Sequence, residues 1–370
     1  MNERQQILLL RLVAPIAAVL LALCAGALFM VLLGYNPWQV YVTLLSFSLG
    51  RSDSIGSILF YATPLLFAGL AVAAGMKAGL LNIGVEGQYL IGAFCAAWVG
   101  FSLHGLPAWL HLPLAVLAAL AGSMLWILLP AYLKIFRGVH EVISTIMLNY
   151  VAFSLLHWLV ADVYMDRNQQ IPAGLGSPLI RTPLFEASVA APKLNGVLRL
   201  LGLDVPDYIA VNLFLLLGVL LAAGCWILFR YTPLGFEIRA TGQGPLTAQN
   251  VGIRVDRVRM KAFLLSGGIA GLVGLSHLFG YYDSFDLDFP RSFGFTGIAV
   301  ALLANNHPLG IIPAALLFGL LGRGGEGIQA FMAIPMELVV IFQGIIILCV
   351  ALTMQWVDRK LTSRERRLGS

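Results

Sequence analysis

The sequence predicts an all-α polytopic membrane protein: a single transmembrane domain over residues 1–370 with about ten membrane segments, some short or broken, and both termini cytoplasmic. Three observations carry this. Apolar residues fill 59% of the 370 positions and charged residues 11%, against roughly 45–50% and about 25% in soluble domains. The apolar residues come in long unbroken runs, which in lipid must be helices, because backbone groups there find partners only within their own segment. Lys and Arg cluster between the runs, where an excess of five positive charges orients spans but is too small and scattered for a nucleic-acid partner.

The elements follow in order. Arg4 and Arg11 precede a first span ending near Leu33, so the amino end faces the cytoplasm and Gly34 to Ser54 the outside. The start has the basic lead of a signal peptide, but its apolar run continues past Cys24 to span length, and Leu23 stands where lipoprotein cleavage needs a small residue. A second span, Ile55 to Met76, returns to Lys77. The next run carries Asn82, Glu86 and Gln88 among Gly79, Gly84 and Gly87. Such residues at membrane depth mark a broken or tightly packed helix, either lining a path or tying helices together.

A fourth span, Ala108 to Leu133, returns inside at Lys134 and Arg137. The fifth begins at His140 and Glu141, and Glu141, Thr145 and Asn149, spaced four apart, share one helical face as a polar stripe. From Ala161 to Asp207 runs a proline-rich external loop with four basic and five acidic residues. It is either a cap that meets a solute-delivery protein or a solvated connection.

A sixth span, Tyr208 to Phe229, leads to the island Tyr231 to Ile253. Between Arg230 and Lys261 lie six basic and two acidic residues, which place the island inside. Pro233 and Gly235 read as stops for the preceding span, and Pro245 to Asn250 as one or two turns of surface helix before Gly252. Beyond it come Ala262 to Gly280, an outer linker with Asp283, Asp286 and Asp288, and two runs, Phe293 to Ala304 and Gly310 to Leu321. Those runs are too brief to cross alone and read as half-helices meeting at Asn305–Pro308. A last span, Phe331 to Met354, precedes a basic cytoplasmic tail at 355–370.

Several chemistries are excluded. No phosphate-binding loop, nucleophile elbow or metal-spaced His/Cys cluster occurs, so the chain is expected to be no enzyme and to hold no cofactor itself. The residue four after His140 is Ser144, which rules out an H-E-x-x-H zinc site. The four cysteines lie apart in apolar runs and read as packing residues.

The run GFEIRATGQGPLTAQNVGI resembles the cytoplasmic coupling motif of permease subunits of ABC importers that serve branched-chain amino acids, simple sugars and nucleosides. Gly235, Arg239, Ala240, Gly242, Ala248, Gly252 and Ile253 match it, while Gly244 and Gln249 stand where the family commonly has Asn and Ala. PLLFAGLAVAAGMKAGLLNIGVEGQ, HEVISTIMLNYVA, KAFLLSGGIAGLVG, FGFTGIAVALLANNHPLG and IPMELVVIFQGIIIL extend the resemblance over most of the chain, closest to the longer nucleoside-type permease.

The resemblance implies a translocation subunit of the bacterial inner membrane for a nucleoside-like or sugar-like solute. Separate ATPase subunits that bind ATP and Mg would drive it, beside a second, shorter permease and under an external solute-binding lipoprotein. The coupling surface would comprise Gly235, Glu237, Arg239, Ala240, Gly242, Ala248, Asn250 and Gly252. Asn82, Glu86, Gln88, Glu141, Thr145 and Asn149 are the residues expected along the solute path. The alternative is a secondary transporter with Glu86 or Glu141 as its proton-coupled carboxylate.

Overall fold

A computed structural model describes residues 3–50, 53–169, 178–200, 202–203 and 205–332, together with 334–335, 338, 340–341, 344–345, 348–349 and 352–353. Much of the expected last span and all of the basic tail lie outside these residues, as does Pro172 of the expected external loop. The helices are α1 (Glu3–Leu32), α2 (Pro37–Leu49), α3 (Ser54–Lys77), α4 (Val85–Ser102), α5 (Ala108–Arg137), α6 (Glu141–Trp158), α7 (Asn195–Leu200), α8 (Leu213–Tyr231), α9 (Pro233–Gln243), α10 (Pro245–Asn250), α11 (Val255–Gly271), α12 (Leu275–Leu278), α13 (Phe293–Leu303) and α14 (Ile311–Met332).

Among the described residues, six helical segments are long and apolar enough to cross a membrane: Ser54–Lys77, Ala108–Arg137, Glu141–Val163, Leu213–Tyr231, Val255–Leu278 and Pro308–Met332. Val19–Leu32 and Phe293–Leu303 are shorter apolar helices. Of the roughly ten segments expected, six are helices of spanning length among the described residues, and these two are shorter. At 11 residues and a rise of about 1.5 Å each, α13 reaches roughly half of a 30 Å hydrocarbon core.

The core is built around α3, which is buried over most of its length and packs on α8, α11, α13 and α14. Apolar burial drives little association in lipid, so close approach of small residues does the work. A Cβ on Gly92 of α4 would stand 3.0 Å from both the Ala119 carbonyl oxygen and the Gly271 Cα, and one on Gly297 of α13 would stand 2.6 Å from the Ala68 Cβ. The opposite faces of α5, α6 and α8 expose Trp109, Leu125, Met147, Tyr150 and Leu220, a surface suited to lipid tails.

The structure corrects the expected boundaries in four places. Gly34 to Ser54, expected as an external connection, contains α2, started by Pro37 at its first position and by the Asn36 side chain, which accepts the Trp38 and Gln39 N–H groups. Its buried Val40, Leu44 and Ser48 face α14, where the Ser48 hydroxyl donates to the Leu320 carbonyl at 2.9 Å. Helix α14 does not stop near Leu321. It runs on through Gly322, Arg323 and Glu326, because both charges find partners and Gly324 and Gly327 admit Leu44 and Phe47 of α2.

The expected span from Ala262 to Gly280 is interrupted at Leu272–Gly274, between α11 and α12. Finally, Pro233 begins a helix instead of ending one. The Thr232 hydroxyl accepts the Gly235 N–H at 3.1 Å, and Pro233 occupies the first position, where its missing donor costs nothing.

The described part of residues 161–207 is a folded cap tied to the bundle. His111 of α5 lies 2.7 Å from the Ser188 hydroxyl and 3.1 Å from the Val99 carbonyl. The Glu186 N–H donates to Gly100 at 3.0 Å and the Ala191 N–H to Phe279 at 2.8 Å.

Substituting Gly92→Val is expected to lower stability by about 1–3 kcal/mol through overpacking of α4 against α5 and α11. Gly224→Val on α8, where nothing lies within 4 Å of an added Cβ, should leave it unchanged. Thermal melting of both variants in the same detergent checks this.

Candidate functional site

Three places concentrate the polar chemistry. The first is the break between α3 and α4, where residues 78–84 leave the helix. Backbone freed at membrane depth must be satisfied by protein. Asn82, fully buried, pairs its amide reciprocally with that of Gln88 at 2.9 Å in each direction, and also donates to the Ser266 hydroxyl at 2.9 Å. Its oxygen accepts the Gly84 N–H at 3.0 Å. From α6, Asn149 accepts the Gly87 N–H at 2.9 Å and donates to the Ile83 carbonyl at 3.1 Å, fastening α6 to the break.

Glu86 lies in the first turn of α4 and points at the start of α13. Its carboxylate accepts the Ser292 N–H at 2.6 Å and the Gly294 N–H at 2.8 Å, with the Tyr89 hydroxyl at 3.1 Å. The N-terminus of α13 therefore turns its unfilled donors toward this side chain, the arrangement that the helix dipole favours. Ser292 adopts φ 76°, a left-handed conformation that aims its N–H at the carboxylate. Thr145 spends its hydroxyl on the Glu141 carbonyl at 2.8 Å, and Glu141 pairs with Lys134 at 2.6 Å. The six residues expected along a path are thus brought together at the break, apart from Glu141, which sits at the helix start near Lys134. They bond mainly one another and nearby backbone.

The second place is a cavity of about 700 Å³ at the end of the bundle opposite α9 and α10. None of those six residues lines it. Its wall carries Phe60 of α3 stacked on His277 of α12, with centroids 4.1 Å apart and 28° between planes, and Phe293 edge-on to His277 at 5.2 Å. The Nδ1 of His277 is buried with no hydrogen-bond partner. Across the cavity, Arg323 of α14 bonds Asp53 at 2.8 Å and Glu326 at 2.5 Å and lies 4.3 Å over the Phe47 ring. The Tyr61 hydroxyl donates to Glu326 and that of Tyr208 to Asp53.

Sequence reasoning missed this cavity. Its signal was Arg323, an ionisable group inside an apolar run, which by default marks a functional or tightly paired position. It was hidden by the flanking glycines, which read as the end of a short segment.

The third place is α9 and α10. Gly235 is buried against the Leu228 carbonyl and the Phe229 Cα, and Gly242 against the backbone of Lys77, Ala78 and Gly79, so no side chain fits at either. Ala248 is buried, Glu237, Arg239 and Ala240 are half-buried, and Asn250 and Gly252 are exposed. Gly252 has φ 88°, letting the chain turn into α11, with the Ile253 N–H bonded to Ala248 at 3.0 Å. The motif glycines thus seat the segment on the spans. Its outward face is Phe236, Leu246 and Val251, exposed by 60%, 77% and 72%, three positions that sequence reasoning did not single out.

Six helices of spanning length among the described residues, joined by a break whose backbone groups are met by buried side chains, mark a multi-pass membrane protein. Residues 54–351 match the family described as branched-chain amino acid transport system / permease component. The chain belongs to that family and is a permease subunit of an ABC importer.

It is 36% identical over 341 residues to the guanosine ABC transporter permease protein NupP of Bacillus subtilis, covering 92% of this chain and 93% of that one. It is 32% identical to the nucleoside ABC transporter permease protein NupB of Lactococcus lactis, over 92% and 91% of the two chains. To the glucose ABC transporter permease protein TsgB13 of Haloferax volcanii it is again 32% identical, over 90% and 85%.

If Asn149 ties α6 to the break, Asn149→Ala leaves the buried Gly87 N–H unpaired and costs about 1–3 kcal/mol. Melting temperature should fall, while uptake per folded molecule stays near that of the unaltered protein. Normal melting with lost uptake would instead put Asn149 in contact with solute.

Proposed function

We propose that this subunit forms half of a pore that carries a nucleoside-like solute across the bacterial inner membrane, driven by separate ATPase subunits. The observation that carries this reading is the division of labour in α9 and α10. Gly235 and Gly242 lock the segment to the ends of α8 and α3, while Phe236, Leu246 and Val251 face outward without cover. Apolar side chains held out on a rigid polar hairpin suit a protein partner. The cluster of six basic against two acidic residues between Arg230 and Lys261 sets this end inside, where ATP and Mg are bound by the partner. Nucleotide-driven closure of the ATPases then shifts the spans between two packings.

The same orientation places the ring-lined cavity and the cap at the outside, facing an external solute-binding lipoprotein, with a second permease completing the pore. We assign solute contact to the cavity. The stacked Phe60 and His277 rings and the edge of Phe293 suit a planar base, and Ser57, Thr296 and Glu326 on the same wall suit ribose hydroxyls. Asn82, Gln88, Thr145 and Asn149 then hold the helices that shape it. A proton-coupled carrier is less favoured, because Glu86 is held by two N–H groups and Glu141 by Lys134.

Uptake of a labelled nucleoside such as guanosine should persist under a collapsed proton gradient and stop on ATP depletion; the reverse would favour the carrier. Leu246→Glu with Val251→Glu should abolish co-purification of the ATPase and uptake together, with stability changed by no more than about 0.5 kcal/mol because both sites are exposed. Retained association in that variant would move the docking surface elsewhere.

A further inference from the structure

A separate cleft of about 440 Å³ opens at the α9 end of the bundle, between the last turns of α3 and α8, helix α9 and the turn before α14. Lys77, Arg230, Arg239 and His307 converge on it, with Trp226 and Tyr231 among its apolar walls, and among the described residues no carboxylate lines it. Among the described residues none of Lys77, Arg230 and Arg239 has an ion-pair partner, and the nearest acid in sequence, Glu237, is likewise uncommitted. The polar side-chain contacts here are the Arg239 Nε to its own helix, at Gly235, and the His307 Nδ1 accepting the Gly310 N–H at 3.3 Å. Burial, and then the Lys77 charge, hold the His307 imidazole below its usual range.

Like charges gathered from separate elements repel across a partly desolvated cleft, and that cost persists unless an anion is bound. The site lies at the end of α8, whose apolar face is largely uncovered by protein, so it sits at headgroup depth beside lipid. Tyr231 there is exposed and stacks edge-on with Trp226 at 5.4 Å, as interfacial aromatics do.

We propose that this cleft binds the phosphate of an anionic ester, and that its position favours an acidic phospholipid headgroup over a soluble phosphate. Arg and Lys supply charge-assisted donors to the phosphate oxygens, and the aromatic walls receive the glycerol and first acyl carbons. Placing this lipid in the inner leaflet rests on the orientation proposed above; the anion chemistry of the cleft does not. A bound phosphate joins α3, α8, α9 and the turn before α14 at one point, and so steadies the α9–α10 segment on the spans.

The test uses the full-length chain in detergent micelles, titrated with phosphatidylglycerol, phosphatidylcholine or inorganic phosphate and read by native mass spectrometry and melting temperature. Phosphatidylglycerol should bind and raise the melting temperature, with affinity about tenfold weaker or less in a Lys77→Gln, Arg230→Gln variant. Lys77→Arg should retain binding. Should the double variant fail to fold, phosphatidylglycerol affinity of the unaltered protein must still fall between low and high salt. The same response to inorganic phosphate alone would support the phosphate site but assign it to soluble esters. Equal retention of phosphatidylcholine, or unchanged affinity in the double variant, overturns the proposal. So does indifference of the unaltered protein to phosphatidylglycerol and inorganic phosphate alike. Because these readouts need no transport, failure of the importer reading would leave them standing.

Discussion

Within a bilayer no water is at hand to finish an unpaired backbone group, and the architecture of this chain follows from how it meets that constraint at one carboxylate. Glu86 accepts the N–H groups of Ser292 and Gly294, so α13 begins with first-turn donors answered by a side chain of α4. Without it, a half-length α13 would present bare donors to its neighbours. With it, the chain can leave helix between 78 and 84, reverse, and enter α4 without crossing the membrane first. Asn82 and Asn149 complete the arrangement by serving backbone groups that the reversal frees, with Gln88 holding the Asn82 amide in place.

Much of this was legible. Asn82, Glu86 and Gln88 among glycines announced a break because polar groups are costly in lipid unless the fold consumes them, and the brevity of the run from Phe293 to Ala304 announced a half-helix. The turn signals around Pro245 to Asn250 announced the short helix α10. What stayed hidden depended on pairing at long range. Arg323 and Glu326 looked like the end of α14, since nothing local shows that Asp53 and Tyr61, some 270 residues earlier in the chain, would receive them. Likewise α2 looked like a connection, because its buried stripe of Val40, Leu44 and Ser48 is narrow and gains meaning only against Gly324 and Gly327. Pro233 misled for a simpler reason: the same ring ends one helix and begins another.

The two ends of the bundle handle charge in contrasting ways. Around the ring-lined cavity, Arg323 is enclosed by Asp53 and Glu326, so its positive charge is already matched there. At the other end, Lys77, Arg230 and Arg239 stand together without an acid among the described residues. With Arg291 also on the wall of the ring-lined cavity, two cations face two carboxylates, a balance that suits a neutral solute, whereas a cationic cleft beside lipid suits an anion that stays put. The same helix, α3, supplies residues to both, Phe60 and Tyr61 to one and Lys77 to the other.

The seat of Gly242 on the turn at Lys77 to Gly79 leaves no side chain between the two backbones. A contact with nothing compressible in it takes up no slack. Under the coupling role proposed above, displacement of α9 would pass directly into the reversal that carries Asn82, three residues along, and from there to the Glu86 carboxyl that caps α13. In that role, a single methyl's width at one position would decide whether the surface hairpin works as a lever or as a cushion.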